Sequence, residues 1–223
     1  MKLYEVYTDM LISEVGEGTS KPFPISSRPN VEIDLNRLAN IAKKHPGDSN
    51  KPWTSDLSFF YDFENDKGVK YSVNFRGWAQ VDDSYFSYGL RKALGGGKDM
   101  GPNKVTFDSS YNVAFDVVGG VEKETNFQEQ YRVLATVVQC VRDFIEQADK
   151  TPIPVMRLDI IPKAGEGEEK GMDNRRGRFY LAYIKKQVKT LPGDWSVVKM
   201  YGEGGVEIKR GKWKGGGVID VDN

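Results

Sequence analysis

Between residues 57 and 82 apolar and polar side chains alternate with a period of two. Between 127 and 147 the period lengthens to that of a helix. The first pattern predicts strands at Leu57–Phe63 and Val69–Trp78, turned by Asn65-Asp66-Lys67-Gly68, residue types that tolerate positive φ. A connection over 84–103 contains Gly95-Gly96-Gly97 and Gly101-Pro102. Two further strands are expected at Lys104–Asp108 and Asn112–Val118, joined by Ser109-Ser110-Tyr111.

The helical pattern is the strongest in the chain. Phe127, Tyr131, Leu134, Val138, Val141 and Ile145 share one stripe, and Val133, Val137, Cys140 and Phe144 widen it to about half the helix surface. Glu129, Arg132, Gln139, Arg142, Asp143 and Glu146 fall on the opposite arc. Thr125-Asn126-Phe127-Gln128 fits a capping box at its start. A helix of this kind lies on a sheet. Thr151-Pro152-Ile153-Pro154 then leads into a strand, Val155–Ile161, and a polar loop, Lys163–Gly171. Asp173 or Asn174 caps a second helix in which Tyr180, Ile184 and Val188 share a face with Phe179 and Tyr183. A last strand pair is expected at Trp195–Tyr201 and Val206–Lys209, turned by Gly202–Gly205.

The N-terminal 1–56 reads as an arm, irregular where Pro22, Pro24 and Pro29 break Ser20–Asn30. It carries one helix that starts at Asp34 and stops at Pro46-Gly47. Residues 57–210 form the α/β domain, and the Gly-rich 211–223 reads as a tail. Antiparallel strands followed by strand–helix–strand crossovers predict an α/β (α+β) fold, with a mixed, mostly antiparallel sheet flanked by helices.

Composition narrows the function classes. The chain has 223 residues, with 32 Lys+Arg balanced by 32 Asp+Glu, so it lacks the basic excess of a dedicated nucleic-acid binder. One cysteine, Cys140, forbids an internal disulfide and fits a reducing compartment. No apolar run approaches the roughly 20 residues of a membrane span, and the first residues lack a signal-peptide core. The expected location is the cytoplasm, or a particle assembled there.

His45 is the only histidine and lies beside Pro46, while Cys140 sits on the apolar arc, so no His-based triad and no zinc spacing arises. Asp82, Asp83, Asp108 and Asp116 are scattered along strand ends. Phe59, Phe60, Tyr61, Phe63, Tyr71, Phe75 and Trp78 are either a stacking platform for bases or, more simply, a core face. Arg175, Arg176 and Arg178 crowd the first turn of the second helix, against the macrodipole. They read as an anion site, or as charges neutralised by Glu166, Glu168 and Glu169.

The succession of strand, turn, long amphipathic helix, strand and Asn174-x-x-Gly177-x-Phe179-Tyr180 resembles the C-terminal half of GNAT N-acetyltransferases. Val113–Lys186, about a third of the chain, also resembles a group of uncharacterised tailed-bacteriophage proteins. That likeness rests on Tyr131-Arg132-Val133-Leu134-Ala135-Thr136-Val137-Val138 and Arg175-Arg176-Gly177-Arg178-Phe179-Tyr180. The GNAT resemblance implies acetyl-CoA on backbone N–H groups between the central strand and the long helix, around Gly119, Gly120, Val121 and Thr125. It also implies a role for Asn174 at the second helix and for Tyr180 as general acid toward the thiolate. Here the glycines come early, and Glu122 and Glu124 stand where they would repel a pyrophosphate. Tyr180, like Tyr183, reads more simply as a core aromatic. The expectation is therefore a GNAT-like protein without cofactor that works through protein partners or self-association, the arm and the tail being its contact segments. An acetyl-CoA-dependent enzyme is the alternative, and an anion- or nucleic-acid-associated factor a third. No membrane partner is expected.

Overall fold

The computed structural model describes residues 20–33, 54–81, 104–119, 127–151, 153–160, 175–200, 205–211 and 217–220. In chain order these residues form β1 (Ile25–Ser27), β2 (Thr54–Glu64), β3 (Lys70–Val81), β4 (Lys104–Val117), α1 (Phe127–Ala148) and β5 (Arg157–Ile160). There follow α2 (Arg175–Val188), β6 (Trp195–Met200), β7 (Val206–Arg210) and β8 (Gly217–Asp220). One sheet joins the strands in the order β1-β2-β3-β4-β5-β7-β6, with β8 beside β4. Among the described strands only β4 and β5 run parallel, and α1 makes the crossover between them. The mixed, mostly antiparallel α+β architecture expected from the sequence is the one found. The helix expected after Asp34 lies outside the described residues.

The β2–β3 hairpin turns where Asn65-Asp66-Lys67-Gly68 predicts. The Asn65 Oδ1 accepts from the N–H of Lys67 at 3.0 Å and of Val69 at 2.8 Å, and Gly68 takes φ +76°. The strands at 104–108 and 112–118 are, by contrast, a single strand. Ser109-Ser110-Tyr111 is a bulge rather than a turn, because Arg76 pairs with Asn112 whereas Trp78 pairs with Asp108. Gly77 opposite the bulge makes room for the buried Tyr111. A Cβ on Gly77 would come within 2.4 Å of the Tyr111 ring.

Alternation puts Phe59, Tyr61, Phe63, Tyr71, Val73, Phe75, Tyr111 and Val113 on one face of the sheet, where all are buried. α1 covers that face. Its Phe144 stacks on Phe75 at 4.1 Å, meets Tyr111 edge-on at 5.0 Å and lies 5.5 Å from Phe59. Cys140, Val141, Ile145 and Ala148 extend the same stripe. These positions match the sequence stripe.

The arm departs from expectation. Residues 20–33 are not a free contact segment but a strap packed along one flank of α1. Phe23 and Val31 are buried, and β1 pairs with the end of β2. Extended chain suits the prolines, and α1 side chains take the place of a neighbouring strand. The Phe23 N–H donates to Thr136 Oγ1 at 2.8 Å, the Val31 N–H to Gln147 Oε1 at 3.2 Å, and Arg132 Nε to the Lys21 carbonyl at 3.0 Å. The Arg132 guanidinium also lies 3.9 Å above the Phe23 ring. The tail departs too. Gly217–Asp220 is β8, pairing antiparallel with Lys104–Phe107, on the β4 edge that Ser110–Val113 give to β5.

Gly77→Ala should lower stability by about 1–3 kcal/mol through overpacking against Tyr111, read from the urea midpoint. An unshifted midpoint would contradict the close approach. Thr136→Val leaves the Phe23 N–H buried without its acceptor. About 1–3 kcal/mol should be lost, with faster protease cleavage between residues 20 and 33.

Candidate functional site

The sequence points to the start of α1 and the start of α2, and the two are described to different depths. β4 ends at Val117 and Gly119 follows at φ +92° with open space around it. Gly120, Val121, Thr125 and Asn174 lie outside the described residues. In the first turn of α1, Glu129 is 8 % exposed and its Oε2 takes the Lys67 ammonium at 2.7 Å. One turn on, Arg132 pairs with Asp66. The tip of the β2–β3 hairpin thus reaches the helix start. A carboxylate of the chain itself occupies the positive end of the dipole. Periodicity alone puts Glu129 on the arc opposite the apolar stripe. Its burial comes from the hairpin, which periodicity does not see.

Arg175, Arg176 and Arg178 stand in the first turn of α2 and Tyr180 follows in the next, but their side chains lie outside the described part. Tyr183 is the described tyrosine of this helix. It packs on Leu134, with Phe115, Tyr131 and Val138 around it, so here the core reading holds. Burial raises its phenol pKa, and the nearby Arg142 charge partly offsets the rise.

Between α1, α2 and the sheet lies an apolar crevice of about 30 Å³. Phe115, Leu134, Val138, Ile160, Tyr183 and Leu191 are among the residues lining it, and Gln187 also reaches it. That is room for about two water molecules. Nearby, Arg142 reaches from α1 to the end of α2. Its Nη2 donates to Thr190 Oγ1, while its Nε is buried without a partner. The Thr190 hydroxyl in turn donates to the Gln187 carbonyl at 2.6 Å. Sequence reasoning placed Arg142 on the polar arc. The docking of α2 gives that position its partner Thr190, and no local signal foretells it.

The opposite face of the sheet is polar. Asp159 and Glu207 are directly opposed across β5 and β7, both buried. Arg157 Nη2 lies 2.9 Å from Asp159 Oδ2 and 3.6 Å from Glu207 Oε2, and Lys209 Nζ is 3.0 Å from Glu207 Oε1. The cations offset what would be repulsion between facing carboxylates. Among the described side chains the base-stacking platform is not formed. Phe59, Tyr61, Phe63, Tyr71 and Phe75 are core, and of these β2 and β3 aromatics with described side chains only Phe60 is exposed.

Under the strap, the Tyr61 hydroxyl donates to Asp143 Oδ2 at 2.9 Å, and Gln147 Nε2 donates to the same oxygen at 2.7 Å. Cys140 beside them is fully buried, and its thiol is pushed up to about 12, first by burial and then by the Asp143 charge. It is an inert core thiol. Among the described residues no group of His, Cys, Asp or Glu is placed to hold a metal ion, and no helix is long and apolar enough to cross a membrane. No protein-family model, curated protein or solved structure matches the chain.

The raised thiol pKa means that the folded state holds this proton more tightly than the unfolded chain. Its contribution to stability is therefore full below pH 9.0 and lost as pH rises toward about 12. The slope should not exceed about 1.4 kcal/mol per pH unit for this one proton. The raised phenols of Tyr61 and Tyr183 add a fall in the same direction at higher pH. Urea titrations between pH 7 and 11 check this, with Cys140→Ala expected to flatten the onset. Stability unchanged across that range would contradict it.

Proposed function

We propose that this chain is a phage-encoded protein with a GNAT-like C-terminal half that acts as an assembly or interaction component, in the host cytoplasm or in the virion. The single observation that carries this reading is the start of α1. In the GNAT resemblance that helix end faces a pyrophosphate, whereas here the buried Glu129 occupies it and is ion-paired to Lys67. A diphosphate brought there would meet a carboxylate and, in sequence, Glu122 and Glu124 just ahead of it. The β4–α1–β5–α2–β6 succession supports the likeness of fold. Fold likeness by itself assigns no chemistry.

Protein contact in this reading does not use residues 20–33 or 217–220, which are engaged within the chain's own sheet and helix. One observation favours a second reading, a CoA-dependent N-acetyltransferase. Gly119 at φ +92°, with open space about it, is a turn from which backbone amides can face a ligand. In that reading the backbone of 119–126 holds the pyrophosphate and Tyr180 protonates the leaving thiolate. The charges of Arg175, Arg176 and Arg178 remain a third candidate, for an anion or a nucleic acid.

Titration calorimetry with acetyl-CoA separates the first two readings. The expected result is no heat at millimolar ligand. Micromolar binding that a Gly120→Trp substitution abolishes would replace the assembly reading with the enzyme. Mass spectrometry of purified virions then tests the setting. A fixed copy number is expected of a virion component, and absence would confine the protein to the infected cell.

A further inference from the structure

The balance of 32 basic and 32 acidic residues holds for the whole chain but not along α2. Residues 175–190 carry Arg175, Arg176, Arg178, Lys185, Lys186 and Lys189 and not one Asp or Glu. At about 100° per residue, Arg175, Arg178, Ala182, Lys185, Lys186 and Lys189 fall on one arc of the helix and its closing turn, about 100° wide. Lys185, Lys186 and Lys189 are exposed. The arc turned away from them is used inside the molecule. Tyr183 and Val188 are buried there, and Ile184 and Gln187 line the crevice with them. Charge is thus segregated on a single outward stripe.

The stripe narrows the kind of partner. A basic amphipathic helix enters an anionic lipid surface through its apolar arc, and here that arc is already packed on α1 and the sheet. A protein partner is held by an apolar or aromatic anchor at the centre of the contact, and the centre of this stripe is the half-buried Ala182. Single-stranded bases stack on exposed aromatic rings, whereas Tyr183, the aromatic of α2 with a described side chain, is buried. A row of cations remains. From Arg175 to Lys189 it runs about 21 Å at 1.5 Å per residue. The phosphate backbone of a duplex is a line of negative charge of matching sign and extent, bound by Lys and Arg without reading bases. We propose that the α2 stripe is a docking surface for the phosphate backbone of double-stranded nucleic acid, with Lys185, Lys186 and Lys189 among its contacts. It extends the arginine cluster at the start of α2 by three exposed lysines. It is independent of the assembly reading and of what binds at the start of α1.

Fluorescence anisotropy of the full chain with a labelled DNA duplex of about 30 base pairs, between about 50 and 200 mM salt, tests the proposal. A Kd in the micromolar range is expected at the lower salt. The logarithm of the binding constant should fall linearly with log salt at a slope of about −3 to −4, as about three to five neutralised phosphates imply. Joint Lys185→Glu, Lys186→Glu and Lys189→Glu should weaken binding at least about tenfold and make the slope shallower by about 2 to 3. Joint Lys21→Glu, Lys70→Glu and Lys150→Glu changes the net charge equally, at exposed positions off α2, and should leave the slope unchanged. If the α2 charge reversal does not fold, the milder pair Lys185→Gln and Lys189→Gln should still make the slope shallower by about 1 to 2. Poly-L-glutamate at equal charge should compete less well than unlabelled duplex. No saturable binding at the lower salt, an affinity indifferent to salt, equal loss in the two triple variants, or tighter binding of poly-L-glutamate than of duplex would each overturn the surface.

Discussion

Phe144 is the contact on which the domain closes. It is fully buried, and it meets one aromatic from each of β2, β3 and β4, namely Phe59, Phe75 and Tyr111. Each of these strands belongs to the antiparallel part of the sheet, while the helix that carries Phe144 leads into β5, the strand that begins the other part. One ring thus ties the meander to the crossover. Such a cluster is worth more than its area, because offset and edge-on ring geometries fix orientation as well as burial. It also explains the bulge in β4. Tyr111 meets Phe144 at a steep interplanar angle, and the irregular register opposite Gly77 leaves room for its ring.

α1 is dressed differently on its three remaining sides. Along one flank it behaves like the edge of a sheet, with Thr136, Gln147 and Arg132 answering the backbone of the strap. Along the other it meets α2 through Leu134 and Tyr183, with a gap left between them. At its start it is held by the hairpin tip through Lys67 and Asp66. A helix so enclosed has little free polar surface. Residues that a helical wheel assigns to solvent become structural partners instead.

What was readable in the sequence follows from the range over which each signal acts. The stripe from Val133 to Ile145, the Asn65–Gly68 turn and the starts of β6 and β7 are set within a few residues, and all were legible. Ser109-Ser110-Tyr111 misled because turn chemistry and bulge chemistry favour the same small polar residues. Only the pairing with Gly77, 34 positions away, distinguishes them. The strap and β8 looked irregular because prolines and glycines remove helix and core signals without removing the capacity to lie along an existing edge. The Arg142 bond to Thr190 was not legible, since it depends on where α2 docks. Of the residues proposed for chemistry, Gly119 was located with its turn conformation, Tyr183 resolved to core, and the others fall where backbone alone, or nothing, is described.

The strap also has a temporal side. Its partners on α1 lie 111 to 116 positions further along the chain, so the segment made first must wait for a helix made much later. At ribosomal speeds that interval is on the order of ten seconds. During it, the proline-rich strap can meet β2, which is made well before α1, but has no Thr136 or Gln147 to receive its amides. Completion of α1 is therefore the event that retires this early segment from the reach of chaperones and proteases, and any pause in translation before it prolongs that exposure.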